Sequence, residues 1–309
     1  MVSIVIVNWN SGQLLKLCVS SLKKHAGNCR IVVVDNASED NSLSDAVDAL
    51  PDITVIRNTS NKGFATACNQ GWRSTDGDLI LFLNPDTESF AGSIPELERT
   101  LEDDNTVWAA GGCLVSPDGI PQSEFNVRPF PTIWRVAAEM LFIDELGRRS
   151  RMKKSRNRMR LGEAVDIDQP AAACLMVRRT ALESIGGFDE SFYPAWFEDV
   201  DLCLRLHRHG GRIQYQPRAR FAHLGGYSLK RLQSEEFLVH FHRNQIRYFR
   251  KHRGLLTALH VQKLITLGLL LRTAVSWLYP LLPDSNRSES AGAFWRSLRR
   301  IAASKEVLQ

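Results

Sequence analysis

The acidic and polar residues of this chain fall at a few places where their types could do chemistry. Asp35 directly follows Ile31-Val32-Val33-Val34, with Asn36, Ala37, Ser38 and Glu39 behind it. A carboxylate at such a strand end can accept hydrogen bonds from a nucleobase or a ribose. It can equally cap the helix that follows, a role also open to Ser38. Asp86, in Asn84-Pro85-Asp86, follows the apolar Leu81-Phe82-Leu83. A hard carboxylate oxygen there suits Mg2+ or Mn2+ bridging the phosphates of a nucleotide; the structural alternative is an Asx-Pro turn leaving a strand. One carboxylate is thin for a metal site, and His223, in Phe221-Ala222-His223-Leu224-Gly225-Gly226, is the candidate second ligand. Glu198 and Asp199 stand between an aromatic group (Phe192, Tyr193, Trp196, Phe197) and a helical segment, with Asp201 close behind. Carboxylates in a first helical turn suit the macrodipole, yet beside four aromatics they also suggest a pocket that tunes one of them for base catalysis. Asp201 and Arg205, at i and i+4, read as surface support for that helix. Asn61-Lys62-Gly63-Phe64 opens another helix, where a glycine lets backbone N–H groups approach a phosphate and Lys62 adds positive charge.

These residues need elements to position them. Apolar runs rich in Val and Ile at 3–7, 29–34, 53–57 and 79–83 have strand length, and helical stretches lie between them at 12–25, 40–50 and 63–73. Such alternation predicts an α/β fold with a mostly parallel sheet and right-handed crossovers. Ligands of open sheets bind at the carboxyl ends of the strands, which is where Asn8, Asn10, Asp35, Asn58 and Asn84 to Asp86 fall. A further strand at 106–115 ends in the turn Ser116-Pro117-Asp118-Gly119. Then come a helix near 129–142, a buried strand at 171–177, and a helix at 198–209 with Leu202, Cys203 and Leu206 inward, stopped by Gly210-Gly211. Helices are expected again at 231–253 and 255–279. No Walker A loop occurs, and no GxGxxG follows the first strand, so ATPase and dinucleotide readings lose support.

Taken in order, VNWNSG, VVVDNASED, NKGFATACNQG, LFLNPDTE, GGFDESFYPAWFEDVDLCLRL and AHLGGYS resemble the inverting family 2 glycosyltransferases, above all their rhamnosyltransferase branch, over roughly residues 2–250. The resemblance implies a GT-A fold: a nucleotide-binding, Rossmann-like half (about 1–115) continuous with an acceptor-binding half (about 116–230, with a basic loop at 148–160), and a C-terminal helical region at 231–309. It also implies roles. Asp35 would contact the base of the nucleotide, with Asn8 and Asn10 in the same cleft. Asn61, Lys62 and Gly63 would cover the nucleotide and diphosphate, with Asn84 alongside. Asp86 and His223 would bind Mg2+ or Mn2+, and Asp199 would be the general base, supported by Glu198. One departure is Asn84, where the family's metal motif often has a carboxylate. The implied reaction is transfer of a sugar, with dTDP-rhamnose favoured as donor over UDP- or GDP-hexoses or galactofuranose, to a hydroxyl of a glycan or polyprenyl-diphosphate-linked acceptor in cell-envelope polysaccharide synthesis. A single displacement inverts the configuration and needs no enzyme nucleophile.

Composition bounds the rest. The 309 residues are 44% hydrophobic and 24% charged, an ordinary globular balance that disfavours disordered and collagen-like chains. Six cysteines without a CxxC pair read as reduced thiols of a cytoplasmic chain and argue against zinc ribbons and disulfide scaffolds. MVSIVIVNWN reads as a buried strand, not a signal peptide. The net charge of +5 hides an asymmetry. Arg148 to Arg160 holds eight basic and no acidic residues, and residues 240–309 hold twelve basic and three acidic. The remainder is therefore acidic, near −12. Basic appendages on an acidic body point to an anionic partner. Nucleic acid is disfavoured, because the basic run has no aromatic residue to stack bases. The stretch around 264–280 is nearly as apolar as a spanning helix but is interrupted by Arg272, which favours an interfacial helix at the cytoplasmic face of the membrane over a span; a helix packed on the core is the alternative.

Overall fold

The computed structural model describes residues 1–142, 162–225, 234–278 and 287–303, so the basic run at 148–160 lies outside the described residues. The chain forms two compact units: Met1–Phe130, Met152–Pro194 and Glu198–Tyr227 make the first, and Pro131–Arg151, Ala195–Phe197 and Ser228–Gln309 the second.

In the first unit β1 (Val2–Asn8), α1 (Gln13–His25), β2 (Arg30–Asp35), α2 (Ser42–Ala49), β3 (Thr54–Arg57), α3 (Phe64–Arg73) and β4 (Leu79–Leu83) alternate as the sequence pattern requires. Strands β3, β2, β1 and β4 lie side by side in that order, and all three pairings are parallel. Both faces of β1, β2 and β4 are covered, which is why they read as nearly continuous apolar runs, whereas β3 lies at the sheet edge with Thr54 and Arg57 exposed. Ile4 and Ile6 join Leu15 and Leu22 of α1 in one hydrophobic layer. Val5 and Val7 join Ala67, Cys68 and Trp72 of α3 in the other.

Beyond β4 the sheet becomes mixed. After β5 (Thr87–Ser89), α4 (Ser93–Glu102), β6 (Val107–Val115), α5 (Ser123–Asn126) and α6 (Ile133–Met140) come β7 (Val165–Asp166), β8 (Cys174–Arg178), α7 (Arg179–Ile185), α8 (Glu198–Arg208) and β9 (Arg212–His223). Strand β8 runs antiparallel between β4 and β6, β9 parallel to β6, and β5 antiparallel to β9 at the far edge. The periodicity reading contains no strand over β9, whose buried positions Ile213, Tyr215, Ala219 and Phe221 alternate with charged and amide residues. Pro217 lies where the β6–β9 register jumps between Gly112 and Cys113, a bulge that tolerates its missing N–H. The six cysteines are all free.

In the second unit α6 (Ile133–Met140), α9 (Ser234–Arg253), α10 (Leu255–Leu278) and α11 (Arg287–Ala302) pack together. Helix α6 therefore belongs with the C-terminal helices, although the sequence reading grouped it with the acceptor half. By length and composition α10 is long and apolar enough to cross a membrane over Leu255–Ser276, and 28% of that stretch is buried within the protein. Arg272, which sits badly in a spanning segment, has partners here: it donates to the carbonyls of Met140 (2.9 Å) and Glu139 (2.8 Å) and lies over the Phe142 ring.

Candidate active site

The parallel register places Asn8 opposite Asp35 at the carboxyl ends of β1 and β2. Asp35 is buried, and its two oxygens are already engaged: Oδ1 accepts from Asn8 Nδ2 at 2.7 Å and Oδ2 from the Ser38 N–H at 3.1 Å. It caps no helix, because α2 begins only at Ser42. Each carboxylate oxygen keeps a further lone pair for a ligand. Asn8 is wholly buried, so it does not line a cleft; its amide also reaches Ser38 and Ser42, and its role is to hold Asp35 and the loop behind it. Asn10 adopts φ 50°, takes the Glu39 N–H on its side-chain oxygen and donates its own N–H to Ser38.

The Asn61–Gly63 turn is tied to the same strand end. Asn36 donates to the Gly63 carbonyl at 3.2 Å and accepts from Asn58 at 2.8 Å. Gly63 has φ 83°, and an added Cβ would lie 2.9 Å from the Tyr193 ring and 3.0 Å from the Pro194 carbonyl. The glycine is thus required by a close protein contact. Its N–H donates to the Asn61 side chain and the Phe64 N–H to the Pro194 carbonyl at 2.7 Å, so two amides expected to be open for a phosphate are occupied. The Lys62 side chain is exposed.

Asn84 and Asp86 leave β4 in a turn closed by Thr87, which donates from N and Oγ1 to the Asn84 carbonyl. Pairing of β5 with β9 sets Thr87 opposite His223 and brings His223 Nε2 to 3.7 Å from Asp86 Oδ1. That separation is too long for a hydrogen bond. Asp86 Oδ1 is buried and has no hydrogen-bond partner. Burial lowers the pKa of His223, outweighing the opposing charges of Asp86 and Glu124, so a neutral ring nitrogen faces an unsatisfied carboxylate oxygen. Two ligand bonds of ~2.1 Å span up to ~4.2 Å, so both atoms are within reach of one Mg2+ or Mn2+. An orphaned buried oxygen facing an imidazole fits a divalent cation. Among the described residues no group of three or more His, Cys, Asp or Glu is placed to hold a metal ion by itself, so the remaining ligands would be phosphate and water oxygens.

Glu198 and Asp199 open α8 and have opposite surroundings. Asp199 Oδ2 accepts from Arg128 Nη2 at 2.5 Å, and Oδ1 from the Val200 N–H at 2.8 Å. Arg128 also donates to the Pro170 carbonyl at 2.8 Å. Glu198 is buried, and its Oε2 has no partner. Desolvation, reinforced by the charge on Asp199, holds its carboxyl well above the usual carboxylate range. The adjacent carboxyls thus have different surroundings: Asp199 faces a guanidinium, and Glu198 lies buried with one oxygen unpartnered. Trp196 and Phe197 belong to the second unit, where Trp196 meets Phe237 edge-on and Phe197 packs against Phe241 and Tyr248. The Asp201–Arg205 pair, expected at the surface, is buried; Arg205 also caps the carbonyls of Ile185 and Gly187. Sequence reasoning missed Gln122 and Arg128. The one signal for Arg128 is a lone cation between Val127 and Pro129-Phe130.

The sequence profile described as Glycosyl transferase family 2 matches residues 3–186. A Mycobacterium tuberculosis protein named N-acetylglucosaminyl-diphospho-decaprenol L-rhamnosyltransferase is 26% identical over 263 residues, 81% of this chain and 85% of that one. The Escherichia coli protein named Rhamnosyltransferase WbbL is 24% identical over 82% of this chain and 94% of its own length. Among solved structures, the Pyrobaculum calidifontis mannosyltransferase PcManGT, in complex with GDP-Man and Mn2+, superposes with a TM-score of 0.57 at 15% identity, covering 98% of this chain and 87% of that one. A parallel sheet with polar residues at its strand ends, a profile spanning most of that sheet and relatives alike over most of their length lead to one assignment: the chain belongs to glycosyl transferase family 2 and is a glycosyltransferase with a GT-A fold.

Proposed function

We propose that the protein transfers a rhamnosyl group from dTDP-rhamnose, with inversion, to a hydroxyl of a lipid-linked glycan acceptor, and that it uses Mg2+ or Mn2+. The observation that carries the catalytic part is the facing pair of ligand atoms, Asp86 Oδ1 and His223 Nε2, in the same unit as the Asp199 carboxylate paired with Arg128. When bound there, a divalent cation supplies positive charge against the departing diphosphate. The chain's own residues do the rest. Asp35, held by Asn8 and Ser38, accepts hydrogen bonds from the base or ribose. Asp199 accepts the proton of the acceptor hydroxyl as its oxygen bonds to the anomeric carbon; the bond from that carbon to the diphosphate breaks on the opposite face. Asp199 takes the base role because its carboxylate faces the Arg128 guanidinium, whereas burial with no partner for Oε2 disfavours the charged form of Glu198. Arg128 holds the Asp199 carboxylate in place.

The donor rests on the rhamnosyltransferase names of two relatives, and the lipid-linked acceptor on the diphospho-decaprenol in one of them. The second unit supports an acceptor at a membrane surface. Helices α6 and α10 frame a groove of about 310 Å³ lined by Ile133, Trp134, Ala137, Leu264 and Leu267, with His260 and Lys263 at its edge. Trp134 is 81% exposed. An apolar face edged by a lysine, on a region of net positive charge, suits an anionic lipid surface. A thermal-shift screen of dTDP-rhamnose, UDP-sugars and GDP-sugars with and without Mn2+ tests the donor, since a ligand that binds only the folded state raises the melting temperature. Stabilisation by dTDP-rhamnose plus Mn2+ is expected; stabilisation by UDP- or GDP-sugars alone overturns the donor.

A further inference from the structure

The geometry points to Gln122 as a positioning residue that fixes the tautomer of His223 and so prepares its Nε2 as a metal ligand. This inference rests on the reading of Asp86 and His223 as the cation site and deepens it. Gln122 makes two hydrogen bonds to the same residue. Its Nε2 donates to the His223 main-chain carbonyl at 3.0 Å, and its Oε1 lies 2.7 Å from His223 Nδ1.

The valences settle which atoms carry protons. A main-chain carbonyl only accepts, so the amide nitrogen must be the atom that faces it. The amide oxygen is then the atom that faces Nδ1, and because that oxygen only accepts, Nδ1 must carry the hydrogen. In the neutral imidazole the other nitrogen is then a bare lone pair. That nitrogen is Nε2, the one turned toward the unpartnered Asp86 Oδ1. Without the clamp the opposite tautomer becomes available, and it places a proton at Nε2, where it blocks metal ligation.

The clamp is held in place from both sides. The Gln122 N–H donates to the Leu114 carbonyl at 2.9 Å, which anchors residue 122 beside the end of β6. Phe125 meets the His223 ring edge-on, with centroids 4.8 Å apart, and limits its rotation. Hydrogen-bonding partners behind a ligating histidine are worth about 10–100-fold in metal affinity.

The test uses the full chain, wild type and as Gln122→Leu and Gln122→Glu. Nitrogen-15 NMR of the metal-free protein reads the His223 tautomer, with His223→Ala assigning the signal. Titration with Mn2+ alone, followed by the EPR signal of the free ion, reads affinity. The expected result is an Nδ1–H tautomer in the wild type, a Kd for Mn2+ raised 10–100-fold in Gln122→Leu, and substantial rescue in Gln122→Glu, whose carboxylate still accepts from Nδ1. A packing role alone does not predict that rescue. An Nε2–H tautomer in a wild type that binds Mn2+ overturns the clamp and leaves the metal site standing. A wild type that binds no Mn2+ overturns the metal site itself, whatever its tautomer. Unchanged Mn2+ affinity in Gln122→Leu overturns the role of Gln122.

Discussion

Replacing Asp199 and Glu198 separately by their amides divides two carboxyls that the sequence places side by side. Asp199→Asn removes the charge facing Arg128, a contact of 2.5 Å in which the two side chains are 12% and 27% exposed. Removing one partner of a fully buried pair costs about 3–5 kcal/mol. Here the amide oxygen still accepts from Arg128, and Arg128 keeps Pro170 and some solvent, so about 2 kcal/mol is expected, a fall of roughly 4–8 °C in Tm. If Asp199 is the base, turnover at 25 °C falls by at least ~10²-fold, equivalent to about 2.7 kcal/mol of transition-state stabilisation, although the protein remains folded. Glu198→Gln behaves in the opposite way. A carboxyl with a raised folded-state pKa contributes stability that is present below its unfolded pKa and lost as pH rises. The neutral amide escapes that loss, so the variant melts higher than wild type at pH 7.5 but not at pH 4, and turnover is largely kept. Arg128→Gln supplies the control: it breaks the same ion pair but leaves the carboxylate, so it should destabilise comparably and retain far more activity than Asp199→Asn. The assay is nucleoside diphosphate release with saturating donor, alongside melting curves at both pH values. A folded Asp199→Asn protein with a near-normal rate refutes the assignment, as does an equal loss in Glu198→Gln.

Asp86→Asn should abolish the increase in donor-dependent Tm that Mn2+ brings, while the Mn2+-free Tm rises or holds because an unpaired buried charge is gone; an unchanged Mn2+ effect in the thermal-shift screen would exclude Asp86 as ligand. His242 in α9 is buried, its Nδ1 3.0 Å from Gln245 Oε1, and burial, helped by Arg272, lowers its pKa to about 4. Neutral in the folded state, it contributes stability that is intact above pH ~6.5 and lost as pH falls toward 4, about 3 kcal/mol in all, which urea unfolding should show and His242→Gln should flatten. Trp134→Glu and Leu267→Glu should each lower flotation with anionic liposomes at least ~10-fold, since burying one such side chain is worth about 1.5–3 kcal/mol; flotation equal to wild type removes the α6–α10 groove from the membrane reading.

The parts of the fold legible in the sequence are those whose physics is local. Strands β1, β2 and β4 show themselves because both faces are covered and their inner positions are almost all apolar, and Asn8, Asp35 and Asn84 mark their ends because that is where those runs stop. Strand β9 stays hidden for a local reason too: Arg212, Arg218 and Arg220 alternate with its core residues, and Pro217 argues against a strand unless the bulge is known. The pairings that give the site its chemistry are not local. His223 meets Asp86 only because β5 lies beside β9, and Arg128 reaches Asp199 across 71 residues. The same limit explains Asp201 and Arg205. Their spacing is that of a surface pair, and only the carbonyls of Ile185 and Gly187, left open at the end of α7, draw the guanidinium inward.

A motif therefore names the oxygen atoms without giving their states. Glu198 and Asp199 are neighbours in one turn of one helix, and the macrodipole acts on both alike. What separates them is Arg128, which compensates one carboxylate, and a dry environment with no partner for Glu198 Oε2, which raises the pKa of the other carboxyl. The same distinction holds at the cation site. Asp86 is an ordinary turn aspartate until His223 is set opposite, and His223 is an ordinary buried histidine until Gln122 decides which nitrogen carries the proton. In each case the deciding group lies outside the motif, supplies no atom to the reaction and acts through one or two hydrogen bonds. Substitutions at Gln122 and Arg128 should therefore disturb metal binding and base catalysis separately, although neither residue belongs to any motif that announces the site.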